Sequence, residues 1–467
     1  MFLDLDHKNP LAEAVVDGDG ICITYKELRD FCGEFSRQIG DRALIFILSE
    51  NVAGSCAGYV AALDGGMVPL MLTASLQADL LQNLIDTYHP SYLWAPRGFG
   101  GKEEHVPVFE KWDYQLLSTG HKSPAMAQEL ALLLPTSGST GSPKLVRHTL
   151  DNVVANARAV AEAFKLGKDS RGMVSLPLNF TQGLNVATSH LYVGGTVLVT
   201  RATLTQREFW DFFKEQRAES FTGVPYSYEL LDKLRFFKMD LPYLKIINQG
   251  GGRMTDELFL KCARYAKESG RQFIATYGST ETTSRMAYLP GEMAESKVGS
   301  IGRALPGCEM QLMDDGGNEI LTPGVDGEII FKGPNVTMGY AETAEDLMKG
   351  DERQGVYATG DLARFDKDGC FYIVGRKSRF LKLFGYRVSL DSIERHIKTS
   401  MGIACACTGS DQCMKVFVEQ ENKLEEVLQL LTQTTGLHKQ AFAVRVIDSI
   451  PKNESGKTMY SALNQLS

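Results

Sequence analysis

The chain lacks any apolar run near the ~20 residues needed to cross a bilayer. Its longer runs, such as residues 43–48 and 132–134, fall far short, so membrane insertion is not expected. A basic-then-apolar leader is missing too: Asp4, Asp6, His7 and Lys8 open the chain, and a cytoplasmic location is the expectation. Positive charge is not in excess. Lys and Arg number 49 against 57 Asp and Glu, a net charge of −8, which leaves no general field for a nucleic-acid backbone. The nine cysteines, an odd number scattered between Cys22 and Cys413, do not form a secreted disulfide framework. Cys405, Cys407 and Cys413 are expected to be packing residues rather than metal ligands. Internal repeats and low-complexity tracts are absent, and there are only 16 prolines, so fibrous and disordered classes are excluded.

What is present is the balance of a folded protein: 43% apolar and 23% charged residues over 467 positions. At about 150 residues per domain, that length suggests roughly three structural units. Beyond residue 130, short apolar runs at 132–134, 195–200, 221–224, 244–248 and 273–277 alternate with amphipathic stretches at 152–164, 205–216, 226–234 and 255–268. Such alternation predicts a parallel sheet covered on both faces. Thr205 and Glu208 have the spacing of a capping box for the second of those helices. Residues 300–376 become rich in glycine turns and β-prone runs, which predicts an antiparallel subdomain. After Gly375 the pattern reads helix, strand, helix, strand and a short terminal helix, a small α+β domain. The expected class is therefore α/β: a large N-terminal domain, 1–377, of doubly wound sheets plus a β subdomain, and a small mobile α+β domain, 378–467.

The segment Thr136-Ser137-Gly138-Ser139-Thr140-Gly141-Ser142-Pro143-Lys144 follows a predicted strand. Its hydroxyls, glycines and lysine suit phosphate oxygens, since backbone N–H groups can crowd close and a cation stands at the end. It is not a Walker loop, because Pro143 precedes Lys144 and Leu145 follows it.

This segment resembles the ATP loop of the adenylate-forming superfamily: acyl-CoA synthetases, peptide-synthetase adenylation domains and luciferases. Further matches follow in that family's order: Tyr277-Gly278-Ser279-Thr280-Glu281, residues 299–307 (GSIGRALPG), Tyr357-Ala358-Thr359-Gly360-Asp361, and Gly375-Arg376. Gly385-Tyr386-Arg387 with Glu394, and residues 451–457 (PKNESGK), complete the set. The resemblance implies that Thr280 bonds the α-phosphate and Glu281 holds Mg²⁺. It also implies that Asp361 accepts the ribose hydroxyls, Arg376 contacts ribose or phosphate, Tyr277 faces adenine, and Gly250-Gly251-Gly252 let backbone approach the ring. Lys457 would bridge carboxylate and α-phosphate, Ser378 would be the hinge, and Gly385 would line a pantetheine tunnel.

Two departures from the family pattern stand out. Ser378 replaces the usual Asp or Lys of the hinge, and Phe180 replaces the usual His before Thr181-Gln182-Gly183-Leu184. No Asp near that point offers a partner for a substrate ammonium, which disfavours α-amino acids. The resemblance thus implies an acid–thiol ligase using ATP and Mg²⁺. A small carboxylic acid would sit among residues 179–185, 222–225 and 250–277, and the acyl acceptor would be CoA or a carrier protein's phosphopantetheine. A non-catalytic nucleotide-binding relative is the alternative, and intact Lys457, Glu281 and Asp361 argue against it.

Overall fold

From residue 171 onward the alternation folds into a parallel sheet, whereas the run at 132–134 joins a second sheet. The computed structural model describes residues 2–99, 106–136, 144–384, 386–452 and 457–466. Among them one sheet has nine strands, in the order Arg303–Ala304, Ala287–Leu289, Gln272–Tyr277, Ile246–Gln249, Ser220–Gly223, Arg171–Val174, Thr196–Val199, Glu13–Asp17, Cys22–Thr24. Neighbours from Gln272–Tyr277 through Glu13–Asp17 run parallel, and both ends turn antiparallel. An eight-stranded sheet orders Gly339–Ala341, Leu145–Thr149, Leu130–Pro135, Val68–Thr73, Leu44–Ser49, Tyr92–Pro96, Tyr114–Ser118, Val106–Lys111.

Helix Ala53–Asp64 joins these sheets through one core. Its sequence, AGSCAGYVAALD, has no polar face, and every residue from Ala53 to Leu63 is buried. A helix that is apolar all round must be covered all round. Its small residues permit this: a Cβ on Gly58 would fall 2.2 Å from the Trp94 indole nitrogen. Val15, Ile45, Ile47 and Val197 from both sheets share that core with Phe31 and Phe35 of helix Tyr25–Ile39.

Contacts divide the chain into two units, Met1–Glu309 with Phe331–Tyr357, and Met310–Ile330 with Ala358–Ser467. In the second, a four-stranded sheet orders Glu309–Met313, Gly327–Lys332, Val356–Phe365 and Phe371–Arg376, the last two antiparallel. The ribbon Phe380–Leu383/Tyr386–Ser389 and the three-stranded sheet Cys405–Ser410, Cys413–Val418, Phe442–Val446 follow. Helices Leu390–Met401 and Leu424–Thr435 cover a core of Ile393, Ile397, Val416, Val427 and Leu431. Cys407 is wholly buried there, as a packing residue.

Two expectations need correction. The helix expected at 205–216 is Arg207–Glu215, and its N-cap is Gln206 with no side-chain cap bond. The Gln206 side chain instead turns back to accept from the Thr203 backbone N–H at 2.7 Å, so Thr205 and Glu208 form no capping box. Residues 300–376 are also not one subdomain. Arg303–Ala304 and Gly339–Ala341 each complete an edge of a large sheet, a long-range pairing that local β propensity does not encode.

Candidate active site

In the first unit, the 277–281 motif leaves strand Gln272–Tyr277 and enters the short 3-10 turn Thr280–Thr282. Gly278 is obligatory for that path. A Cβ there would lie 1.8 Å from the Ser284 carbonyl oxygen and 2.7 Å from the Arg285 Cα. The Glu281 carboxylate accepts one hydrogen bond, from the Tyr340 hydroxyl at 2.8 Å, and pairs with no lysine or arginine side chain among the described residues. Its backbone carbonyl is held by the Thr337 N–H at 3.0 Å and the Thr337 hydroxyl at 2.9 Å. A carboxylate fixed by its backbone and unpaired by cations suits a divalent ion shared with phosphate oxygens.

Tyr340 gathers the cations of this half-site. Lys144 Nζ lies 5.8 Å from its ring centroid and pairs with Glu342 at 2.7 Å, while the Arg353 guanidinium lies 4.6 Å from the same ring and 4.9 Å from that of Tyr357. Burial, reinforced by Glu281, raises the Tyr340 pKa, which keeps its phenol a donor. Tyr340 and Arg353 escaped the sequence reading; neither lies in a motif with local chemical character.

Glycines 250–252 follow strand Ile246–Gln249. A Cβ on Gly250 would meet the Gln182 amide at 2.3 Å and Thr276 Oγ1 at 2.6 Å, one on Gly251 would meet Val224 at 3.2 Å, and one on Gly252 would meet Pro225 at 3.3 Å. The three segments expected to form the acid pocket are thus adjacent. Gln182 Oε1 and Ser279 Oγ are buried here without a hydrogen-bond partner, a state costing ~1–3 kcal/mol each unless a ligand satisfies them. Close backbone and orphaned polar atoms together fit a nucleotide and its acid partner.

The second unit holds another set of groups. Arg376 Nε donates to Asp361 Oδ1 at 3.1 Å, and the Arg376 backbone N–H to Asp391 Oδ2 at 3.0 Å. Ser378 is exposed in the 3-10 turn Lys377–Arg379. Immediately beyond it, Arg379 pairs with Asp391 and, at 2.5 Å, with Glu394. Glu394 also accepts from the Tyr460 hydroxyl at 3.0 Å, and the guanidinium lies 3.7 Å from the Tyr460 ring centroid. Burial raises the Glu394 pKa even against Arg379. This knot ties the expected hinge to the helix that follows Lys457. Lys457 is itself exposed, next to Thr458, which forms a β-bridge with Lys452, and the Met459 N–H donates to the Pro451 carbonyl at 2.8 Å. Ser137, Gly138, Ser139, Thr140, Gly141 and Gly385 lie outside the described residues; Thr136 and Lys144 flank the first group.

The parallel sheet of the first unit carries a glycine strip and a carboxylate unpaired by cations at its strand ends, and the chain is an AMP-forming acid ligase. Residues 5–341 match the family described as AMP-binding enzyme, and the chain belongs to that family, within the adenylate-forming superfamily. It is 28% identical over 360 residues to the indoleacetate–CoA ligase of Aromatoleum aromaticum, covering 74% of this chain and 69% of the relative. A 2-succinylbenzoate–CoA ligase of Bacillus cereus is 28% identical over 419 residues, covering 86% and 83%. Among solved structures, the O-succinylbenzoate coenzyme A synthetase of Bacillus subtilis in complex with ATP and magnesium ion superposes with a TM-score of 0.78. Its sequence is 21% identical, and the match covers 99% of this chain and 98% of that one.

Proposed function

We propose that this ligase joins a small carboxylic acid to ATP, releasing pyrophosphate, and then passes the acyl group from the adenylate to the thiol of CoA. A carrier protein's phosphopantetheine presents the same thiol, but the relatives above are CoA ligases, which favours CoA. The observation that carries the reading is the meeting of Lys144 and Glu281 at Tyr340: two motifs some 140 residues apart in sequence supply, at one place, a cation for phosphates and a carboxylate for Mg²⁺.

In this scheme Thr136 and Lys144 receive the β- and γ-phosphates together with the loop residues Ser137 to Gly141. Thr280 donates to the α-phosphate, and Ser279 finds its missing partner on the nucleotide. Tyr277 and the 250–252 backbone flank adenine; Asp361, oriented by Arg376, accepts the ribose hydroxyls. Bound Mg²⁺ supplies charge neutralisation for the leaving pyrophosphate, and Glu281 is its protein ligand. Lys457 aligns the attacking carboxylate and balances charge at the α-phosphate. The chain from 378 onward acts as a mobile domain turning at Ser378, where backbone torsions absorb the motion, so that Gly385 can face the pantetheine arm. A reducing, cytoplasmic setting fits the nine cysteines, all free thiols.

The test is ATP–pyrophosphate exchange over a panel of carboxylic acids, followed by thioester formation with CoA. Exchange dependent on one class of acid supports the proposal. A folded protein that binds ATP yet exchanges with none returns the non-catalytic reading.

A further inference from the structure

Four residues beyond Glu281 stands Arg285, 1% exposed. Its guanidinium donates to Asn185 Oδ1 and, at 2.9 Å, to Asn248 Oδ1, and lies 5.3 Å from the Phe164 ring centroid. These partners are neutral. No carboxylate pairs with Arg285 among the described residues, and its Nε has no partner at all. The site is nevertheless built. Asn185 donates to Asn156 Oδ1 at 2.8 Å, and Asn156 donates back to the Arg285 carbonyl at 2.8 Å. Burial lowers the guanidinium pKa to about 10, so it stays charged at neutral pH.

The other fully buried arginine among the described residues, Arg147, shows the usual solution. It pairs with Glu352 at 2.5 Å and donates to the Tyr340 carbonyl at 3.0 Å. An uncompensated buried charge is costly, so a chain that compensates Arg147 but not Arg285 leaves the second counter-ion to be supplied from outside.

The surroundings indicate where it comes from. Arg285 lines a cavity with Val160, Val186, His190, Ser220 and Thr222. His190 adds no charge, because burial lowers its imidazole to about 4. Its lining includes Thr222 and Asn248, on two strands that run into segments of the expected acid pocket. Thr222 is two residues before Val224, which abuts Gly251, and Asn248 is two before Gly250, which abuts Gln182.

We infer that Arg285 is a specificity-determining residue that pairs with a second acidic group on the substrate, so that the enzyme activates diacids in preference to acids with neutral tails. This rests on the acid-ligase reading above. A site built to bind a polar group rejects the analogue lacking it by as much as ~10⁴–10⁵, because its own buried groups are then left unpaired.

The experiment pairs straight-chain and aryl diacids with their monoamides, which keep the shape and lose the second charge. Pyrophosphate exchange and thermal stabilisation are both read, with inorganic phosphate and chloride as control anions. The parent protein should favour a diacid by at least ~10² in kcat/KM, and the diacid alone should raise its melting temperature. Arg285→Met should abolish both preferences. Because Arg285→Met removes the donor that both asparagines accept from, Asn248→Asp serves as a second variant: it supplies an internal counter-ion at the cost of the bond to the Ile274 carbonyl, and should erase the diacid preference. Equal exchange with diacid and monoamide overturns the assignment and leaves the ligase reading standing. Stabilisation by diacids, lost on Arg285→Met, without exchange supports the site and overturns the ligase reading. Stabilisation by phosphate or chloride equal to that by diacids also overturns the assignment, marking a simple anion site.

Discussion

Gly278→Ala tests whether the Tyr277–Glu281 turn positions catalytic groups. The added Cβ would meet the Ser284 carbonyl oxygen at 1.8 Å, with the Arg285 Cα and Ser284 carbonyl carbon each at 2.7 Å. All three are backbone atoms, so no rotamer change relieves the clash. An ordinary contact begins at 3.4 Å, and the turn must therefore move by about 1.6 Å, the difference from 1.8 Å. Overpacking of this kind typically costs ~1–3 kcal/mol. The same displacement carries Thr280 and Glu281 with it, and a misplacement of about 1 Å can cost ~10² in rate. Urea unfolding gives the first quantity, and single-turnover adenylate formation the second. Gly33→Ala is the control, a helical site where a Cβ meets nothing within 4 Å; it should gain ~0.5–1 kcal/mol with activity unchanged. A Gly278→Ala protein of parental stability and rate would refute the argument that this backbone approach fixes the site.

Lys457→Ala should slow adenylate formation by ~10²–10³ while leaving the unfolding midpoint unchanged, since the side chain is exposed; thioester formation from supplied acyl-adenylate, followed by CoA consumption, should be spared. Glu281→Gln should require more Mg²⁺ for half-maximal exchange, and a magnesium titration superimposable on the parent's removes Glu281 as the ligand. Asp346 accepts from the Glu342 and Thr343 N–H groups at 2.7 and 3.0 Å and from Lys349 at 2.7 Å. The Lys349 hydrogen bond foremost holds its pKa down at about 2, so its stabilisation is complete above its ordinary pKa of 3.8 and is lost as pH falls toward 2. Asp346→Asn should cost about 1 kcal/mol at pH 6 and less at pH 3, measured by urea unfolding; a constant difference across that range contradicts the linkage.

Much of the architecture was legible because it is local. Strand Ile246–Gln249, helix Asp256–Glu268 and strand Gln272–Tyr277 follow from the alternation of apolar runs and amphipathic stretches, which acts within a few residues. The motif residues were legible for the same reason, since a loop of glycines and hydroxyls declares its chemistry through residue type. What the sequence did not reveal depends on distance along the chain. Tyr340 belongs to a three-residue edge strand with nothing to mark it, yet pairing of Gly339–Ala341 with Leu145–Thr149 brings its ring to Lys144 and its hydroxyl to Glu281. Arg285 carries no local mark either; only folding places it between Asn185 and Asn248, with no carboxylate paired to it among the described residues. Residue type and spacing determine what a segment can do chemically, whereas the partner a charge meets, or fails to meet, is decided by packing between segments that share no local signal.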